Sequence, residues 1–282
     1  MEPDAPRRIP AMTTVGTFLK KGTCSETLIN VLDRACGNPL PDEERATGPL
    51  AGGIVSHGYQ CGQLWGAALA GGAEAHRRHG AGAIGQAKAI VAARRLIEAF
   101  RVQNGHCDCF ELTGLSEKTT GWQMLAKLLF KGGPTKCLGM SARYAPVALR
   151  EIEAGLSEQD ETDVPAAPVG CAAVMAHKLG ASDLHTTMAA GLAGGIGLSG
   201  GACGALGAAI WITGVRSLQS GAAKVPYKSP EAAALIDRFL KCTNYEFECS
   251  TIVGRTFGGV ADHAAHVCSG GCAKILDALA SR

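Results

Sequence analysis

Apolar residues recur at helical spacing along most of the chain. Behind Ser25, which follows Cys24, come Leu28, Ile29, Val31 and Leu32, one turn after the other on a single face. Between 84 and 100, Ile84, Ala87, Val91, Leu96, Ile97 and Phe100 fall near a 3.6-residue period, with Lys88, Arg94, Arg95 and Glu98 between them, which predicts an amphipathic helix. Ser229-Pro230-Glu231 is a cap followed by a first-turn proline and opens a further helix through Leu235, Ile236 and Phe239. No long alternating run rich in β-branched or aromatic residues interrupts the pattern, and aromatic residues make up only 5%, so strands are not expected. The fold class predicted is all-α.

The pattern is written twice. Leu50-Ala51-Gly52-Gly53-Ile54, Gly58, Cys61-Gly62 and Leu64 return without a gap as Leu192-Ala193-Gly194-Gly195-Ile196, Gly200, Cys203-Gly204 and Leu206, Leu192 standing 142 positions after Leu50. Cys109 to Gly114 returns as Cys249 to Gly254, and the helical triplet Leu96, Ile97 and Phe100 as Leu235, Ile236 and Phe239. A period of this length marks duplicated domains rather than solenoid units. We therefore expect two tandem helical repeats related by a pseudo-twofold, with closely packed glycine-rich helices. The acidic, then proline-containing stretch from Ser157 to Pro168 has linker composition. It divides a first repeat, 1–156, from a second, 169–282, with 157–168 between.

Composition narrows the function classes. With 282 residues, 46% of them hydrophobic, the chain can bury a large core. A net charge of +2 from 27 basic and 25 acidic residues gives no broad footprint for nucleic acid. Met188 to Val215 is uncharged and long enough for a membrane span, but nine of its residues are glycine, among them Gly194, Gly195, Gly200 and Gly201. It is expected as packed interior rather than a stable span. The first twelve residues contain no apolar signal core, so a cytoplasmic protein is expected.

Twelve cysteines in a reducing compartment point to metal binding or redox chemistry. The duplicated positions select Cys24, Cys61, Cys109 and Cys137 in the first repeat and Cys171, Cys203, Cys249 and Cys268 in the second. Four thiolates are a full ligand set for a tetrahedral metal or an iron–sulfur cluster. No pair within a quartet has Cys-x-x-Cys spacing, so the fold would have to gather them. Cys61 and Cys203 each sit where a glycine turn enters a helix, a setting whose N–H groups and dipole favour thiolate. Cys107 and Cys272 are substitute ligands or resolving thiols; Cys36 and Cys242 read as core fillers. His57, His106, His263 and His266 lie near cysteines in sequence and read more simply as surface or core residues. The run His76-Arg77-Arg78-His79 reads as a solvated helix end.

These residues carry a resemblance. The chain resembles, over nearly its whole length and as two copies, the family of redox-active proteins named for the C-GCAxxG-C-C cysteine pattern. Cys24 and Cys171 match its first cysteine, Cys61 and Cys203 the central one, Cys109 and Cys249 the third, Cys137 and Cys268 the fourth. The central element reads Gln60-Cys61-Gly62-Gln63-Leu64-Trp65-Gly66 in one copy and Ala202-Cys203-Gly204-Ala205-Leu206-Gly207 in the other. The resemblance implies an all-helical fold and a redox or iron–sulfur role, with no defined substrate. Ligand counting favours a cysteine-ligated iron–sulfur cluster in one or both repeats, serving electron transfer or redox sensing with a redox protein partner. A metal-free thiol–disulfide oxidoreductase or sensor, with Cys61 or Cys203 as the reactive thiol, is the alternative. A structural zinc protein or transporter-associated binding module is the third. The sequence leaves homo-oligomerisation open.

Overall fold

The computed structural model describes residues 8–114, 133–158 and 168–281. Among them lie fourteen α-helices and no β-strand, only two isolated antiparallel bridges, Gln60 with Asp108 and Ala202 with Glu248. The first repeat comprises α1 (Ala11–Lys21), α2 (Cys24–Ala35), α3 (Pro41–Ala46), α4 (Gly62–His79), α5 (Ala83–Asn104), α6 (Cys109–Thr113) and α7 (Gly133–Ser157). The second comprises α8 (Cys171–Lys178), α9 (Asp183–Ala190), α10 (Gly204–Gln219), α11 (Pro230–Cys242), α12 (Cys249–Val253), α13 (Val260–Cys268) and α14 (Ala273–Ala280). Most of the stretch expected as a linker, 159–167, lies outside the described residues.

Local chemistry explains the helix ends. Helix α2 starts at Cys24 because Thr23 is extended and its hydroxyl accepts the Glu26 N–H, a side-chain cap worth about 1 kcal/mol. Ser229 caps α11 in the same way through the Ala232 N–H, 3.2 Å away, with Pro230 behind it. Helix α5 buries Leu96, Ile97 and Phe100, whereas Ile84, at its first turn, faces solvent. The uncharged segment from Met188 to Val215 is broken: α9 stops at Ala190 and α10 begins at Gly204, with a glycine turn between. No helix among the described residues is long and apolar enough to cross a membrane.

The two repeats exchange contacts. Helix α3 packs on α10, and its counterpart α9 packs on α4. A Cβ on Gly214 would come within 3.1 Å of the Ala46 carbonyl, and one on Gly72 would overlap the Met188 backbone. Met188 and Gly214 are the repeat equivalents of Ala46 and Gly72, so the pair is reciprocal, as a pseudo-twofold requires. Small residues there let the backbones touch.

Positions that face their own equivalent across the axis carry complementary residues. Trp65, fully buried, lies against Gly207, where a Cβ would overlap its ring. His185 shares a 2.8 Å hydrogen bond with Glu43, and the Trp211 indole N–H donates to the Glu43 carbonyl at 3.1 Å. Identical units would oppose Trp to Trp and Glu to Glu at these two places. Fusion in one chain allows a bulky residue to meet a void and a carboxylate to meet an imidazole. Removing the Trp65 side chain would cost about 3–5 kcal/mol by the usual burial and cavity terms.

Candidate functional site

Each repeat draws its cysteines together from four stretches of chain. In the first, Cys24 is the first residue of α2 and Cys61 the N-cap of α4. Two helix N-termini thus converge on these sulfurs, where peptide N–H groups and the helix dipoles favour negative charge. The backbone holds the third cysteine beside them. The Cys61 N–H donates to the Cys107 carbonyl at 2.8 Å, the Cys109 N–H to the Tyr59 carbonyl at 2.7 Å, and the Phe110 N–H to the Gly58 carbonyl at 2.8 Å. Cys137, on α7, completes the group.

The thiols in this group are not equivalent. Cys61 donates its S–H to Cys24, and that hydrogen bond outweighs burial and brings the Cys24 thiol down to about 7. The N–H groups of Gly52, Ser25 and Cys24 itself also point at the Cys24 sulfur. Cys61 is held well above its ordinary range, first because its S–H is held in the hydrogen bond to Cys24 and second because it is buried. Burial, with the Cys24 charge adding, pushes Cys109 up to about 11 and Cys137 up to about 12. Cys24 is therefore the most easily ionised sulfur of the group.

The second repeat has the same scaffold, but none of its gathered thiols is lowered. The Cys203 N–H donates to the Phe247 carbonyl at 2.8 Å, the Cys249 N–H to the Gly201 carbonyl at 2.7 Å, and the Ser250 N–H to the Gly200 carbonyl at 2.9 Å. Cys171 opens α8 and Cys203 caps α10. Burial pushes Cys203 up to about 12, and burial first, with neighbouring sulfurs, raises Cys171 and Cys249 as well.

In this repeat the structure brings Cys272, expected as a substitute, into the group in place of Cys268. Cys268 ends α13 in solvent, whereas Cys272 is buried at the start of α14 and acts electrostatically on Cys171, Cys203 and Cys249. The Gly270-Gly271 turn, with Gly270 at φ +87°, separates the two helices and places the cysteine that leads the last helix four residues later. Cys107 contributes its carbonyl to the Cys61 bridge and turns its thiol toward the Ile97 carbonyl, 4.0 Å away. Cys36 is buried in the core, and Cys242 closes α11 with its thiol toward the Phe239 carbonyl.

The histidines take other places. His57 lies against Phe247, His106 pairs with Glu111 at 2.9 Å, and His263 and His266 pack on Phe257. No disulfide joins any of the cysteines. Each quartet offers four sulfur donors to a thiophilic metal or iron–sulfur cluster. However, among the described residues no group of three or more His, Cys, Asp or Glu side chains is arranged to hold a metal ion.

Two features of the site carried no sequence signal that we read. Residues 52–56 form a left-handed turn, with Gly52 at φ +68°, Gly53 at +70°, Ile54 at +63°, Val55 at +48° and Ser56 at +67°. Each non-glycine residue held there costs about 1–2 kcal/mol. The turn sets the Gly52 N–H against Cys24. Asp108, at the bridge beside Cys61, is pushed up to about 6 by burial and then by the charges of Glu248 and Glu111. Glu248 stands at the matching bridge of the other repeat, so the two bridges approach each other. Tyr59 stacks on Phe247 at 4.4 Å, and the Gln60 amide donates to the Gly195 carbonyl at 2.7 Å.

Against known proteins, one family model matches the chain twice, over residues 23–149 and 170–281. Its description is "Putative redox-active protein (C_GCAxxG_C_C)". No curated protein and no solved structure matches.

Proposed function

This chain belongs to the C_GCAxxG_C_C family of redox-active proteins, as two tandem copies of its unit, and on that premise we propose that Cys24 and Cys61 form a redox-active dithiol. The observation that carries this reading is the contact between Cys61 and Cys24, whose hydrogen bond lowers the Cys24 thiol to about 7. Only a thiolate attacks sulfur. In the proposed reaction the Cys24 thiolate attacks one sulfur of a substrate disulfide, forming a mixed disulfide and releasing the other half as a thiolate. Cys61, its proton passing to that leaving group, then attacks the Cys24 sulfur. A Cys24–Cys61 disulfide forms, the second substrate thiolate departs, and two electrons have passed from the dithiol to the substrate. The second repeat keeps its sulfurs protonated, which suits a structural or slower partner role. The chemistry asks for a disulfide or dithiol partner, with no nucleic acid involved.

The test is equilibration of the reduced full chain with oxidised dithiothreitol, followed by trapping and peptide mapping. A Cys24–Cys61 linked peptide, reversed by reduced dithiothreitol, is expected. Persistence of both thiols as free alkylated peptides would overturn the proposal.

A second reading is favoured by the gathering of four cysteines in each repeat, since dithiol exchange needs only two. It is a cysteine-ligated iron–sulfur cluster used for electron transfer or redox sensing, and it requires the side chains to close in around the cluster. Anaerobic reconstitution with iron and sulfide should then give a visible absorption band that dithionite bleaches. Colourless, iron-free protein would reject that reading, and tightly held zinc without a redox response would replace it by a structural metal site.

A further inference from the structure

The two repeats differ in the segment after their glycine-rich helix. In the first repeat α4 ends at His79 and α5 begins at Ala83; in the second α10 ends at Gln219 and α11 begins only at Pro230. The longer segment, 220–229, does not stay with its own repeat. The Arg45 guanidinium donates to its Ala223 carbonyl at 3.2 Å, and its Val225 carbonyl lies over Gly48. From there Tyr227 reaches the left-handed turn of the first repeat. Its hydroxyl is 2.5 Å from the Ser56 hydroxyl and sits so close over Gly52 that a Cβ there would overlap it.

The Gly52 peptide is one of three whose N–H points at the Cys24 sulfur, and the only one of them outside α2. Tyr227 therefore holds both ends of the turn, Ser56 through a hydrogen bond and Gly52 by contact. The second repeat has no counterpart. Leu198 stands in place of Ser56 and its side chain cannot accept or donate a hydrogen bond, and the three residues 80–82 between α4 and α5 are too few to form such a strap. Its turn also needs less restraint, because Gly197 replaces the β-branched Val55 at a positive-φ position.

We propose that Tyr227 of the second repeat is a positioning residue for Cys24 of the first, bracing the 52–56 turn so that the Gly52 N–H stays on the Cys24 sulfur. The inference rests on Cys24 being the attacking thiol. It makes the second repeat a necessary part of the first repeat's centre, whereas the equivalent Gly194 N–H reaches Cys171 with no such strap over its turn.

The test uses the reduced full chain and iodoacetamide at pH 7, with the labelling rates of Cys24 and Cys171 read separately by peptide mapping. In the unaltered protein Cys24 is expected to react faster than Cys171. Tyr227→Phe, which keeps the ring and loses the hydroxyl, is expected to slow Cys24 at least threefold while leaving Cys171 unchanged. Ser56→Ala should do the same, and it carries the test if Tyr227→Phe loses its helical circular dichroism. Val55→Gly, which relaxes the turn, should restore at least half of the lost rate in the Tyr227→Phe background. If Cys24 is no faster than Cys171 in the unaltered protein, the reading of Cys24 fails and the inference with it. If Cys24 is fast there and Tyr227→Phe leaves it unchanged, quickens it, or alters both cysteines alike, the brace alone is overturned. Absence of rescue by Val55→Gly would overturn the turn as the route by which Tyr227 acts.

Discussion

Replacing Cys61 by alanine should make Cys24 a slower nucleophile at neutral pH and a faster one in alkali. The magnitude follows from the contact between the two sulfurs. With the Cys61 S–H donated, Cys24 ionises at about 7, so roughly half of it is thiolate at pH 7. The hydrogen bond from Cys61 is the largest influence on Cys24, and burial is the next and opposes it. Without the donor, Cys24 returns to its ordinary 9.0 or higher, and the thiolate fraction at pH 7 falls to about 1%, roughly fiftyfold less. A more basic thiolate is intrinsically more nucleophilic, by about eightfold over two pH units at a Brønsted slope of 0.4–0.5. The net expectation is a fall of about sixfold in the iodoacetamide rate of Cys24 at pH 7, and a severalfold rise at pH 10. Cys61→Ser, whose hydroxyl still donates, should keep the neutral-pH rate within about twofold of the unaltered protein. Peptide-resolved labelling at the two pH values measures this. Equal rates for Cys61→Ala and the unaltered chain at both pH values would refute the sulfur pair as the source of reactivity.

Three further outcomes are expected. Gly207→Ala places a methyl group into the Trp65 ring, and such overpacking should destabilise by about 1–3 kcal/mol, seen as a lower urea midpoint with an unchanged slope; an unchanged midpoint would contradict the axial packing. Burial works against the ionised form of Glu43, but the His185 hydrogen bond and charge hold its carboxyl below the ordinary 4.5, so ionised Glu43 stabilises the fold fully above pH 4.5 and loses that contribution as the pH falls through its lowered value. The stability gap between the unaltered protein and Glu43→Gln should therefore shrink on acidification, and a gap of the same size at pH 3 and pH 7 would count against it. Cys268→Ser should shift stability by less than about 0.5 kcal/mol, and Cys268 should be the first cysteine of the second repeat to react with a bulky maleimide. Cys272 should resist that reagent until the chain unfolds, and early labelling of Cys272 would undo its assignment to the second quartet.

Much of this protein is legible from residue order alone. Helical periodicity in the 84–100 stretch and the Ser229-Pro230 cap are local signals, and each produced the helix it announces, because capping and amphipathic spacing act within a few residues. The duplicated glycine and cysteine register announced two copies of one unit. It also singled out seven of the eight cysteines that the structure draws into the two groups. The eighth shows the limit of register: Cys268 and Cys272 differ only in which side of the Gly270-Gly271 break they fall, and the helix phase beyond that break decided which sulfur turned inward.

What the chain could not announce lies in contacts between residues far apart in sequence. Cys24 and Cys61 become unlike only when one donates to the other, and neither position carries a mark of that. Tyr227, 171 positions from Ser56, stands in a segment whose counterpart in the first repeat is mostly the start of helix α5, so no pattern links the two until the pseudo-twofold packing lays the second repeat's strap on the first repeat's turn. Amino-acid order thus determined the elements, the duplication and the supply of sulfur, since these follow from local propensity and spacing. Tertiary structure alone decided which sulfurs meet and which of them ionises most easily, because ionisation depends on burial and on donors that only folding brings within reach.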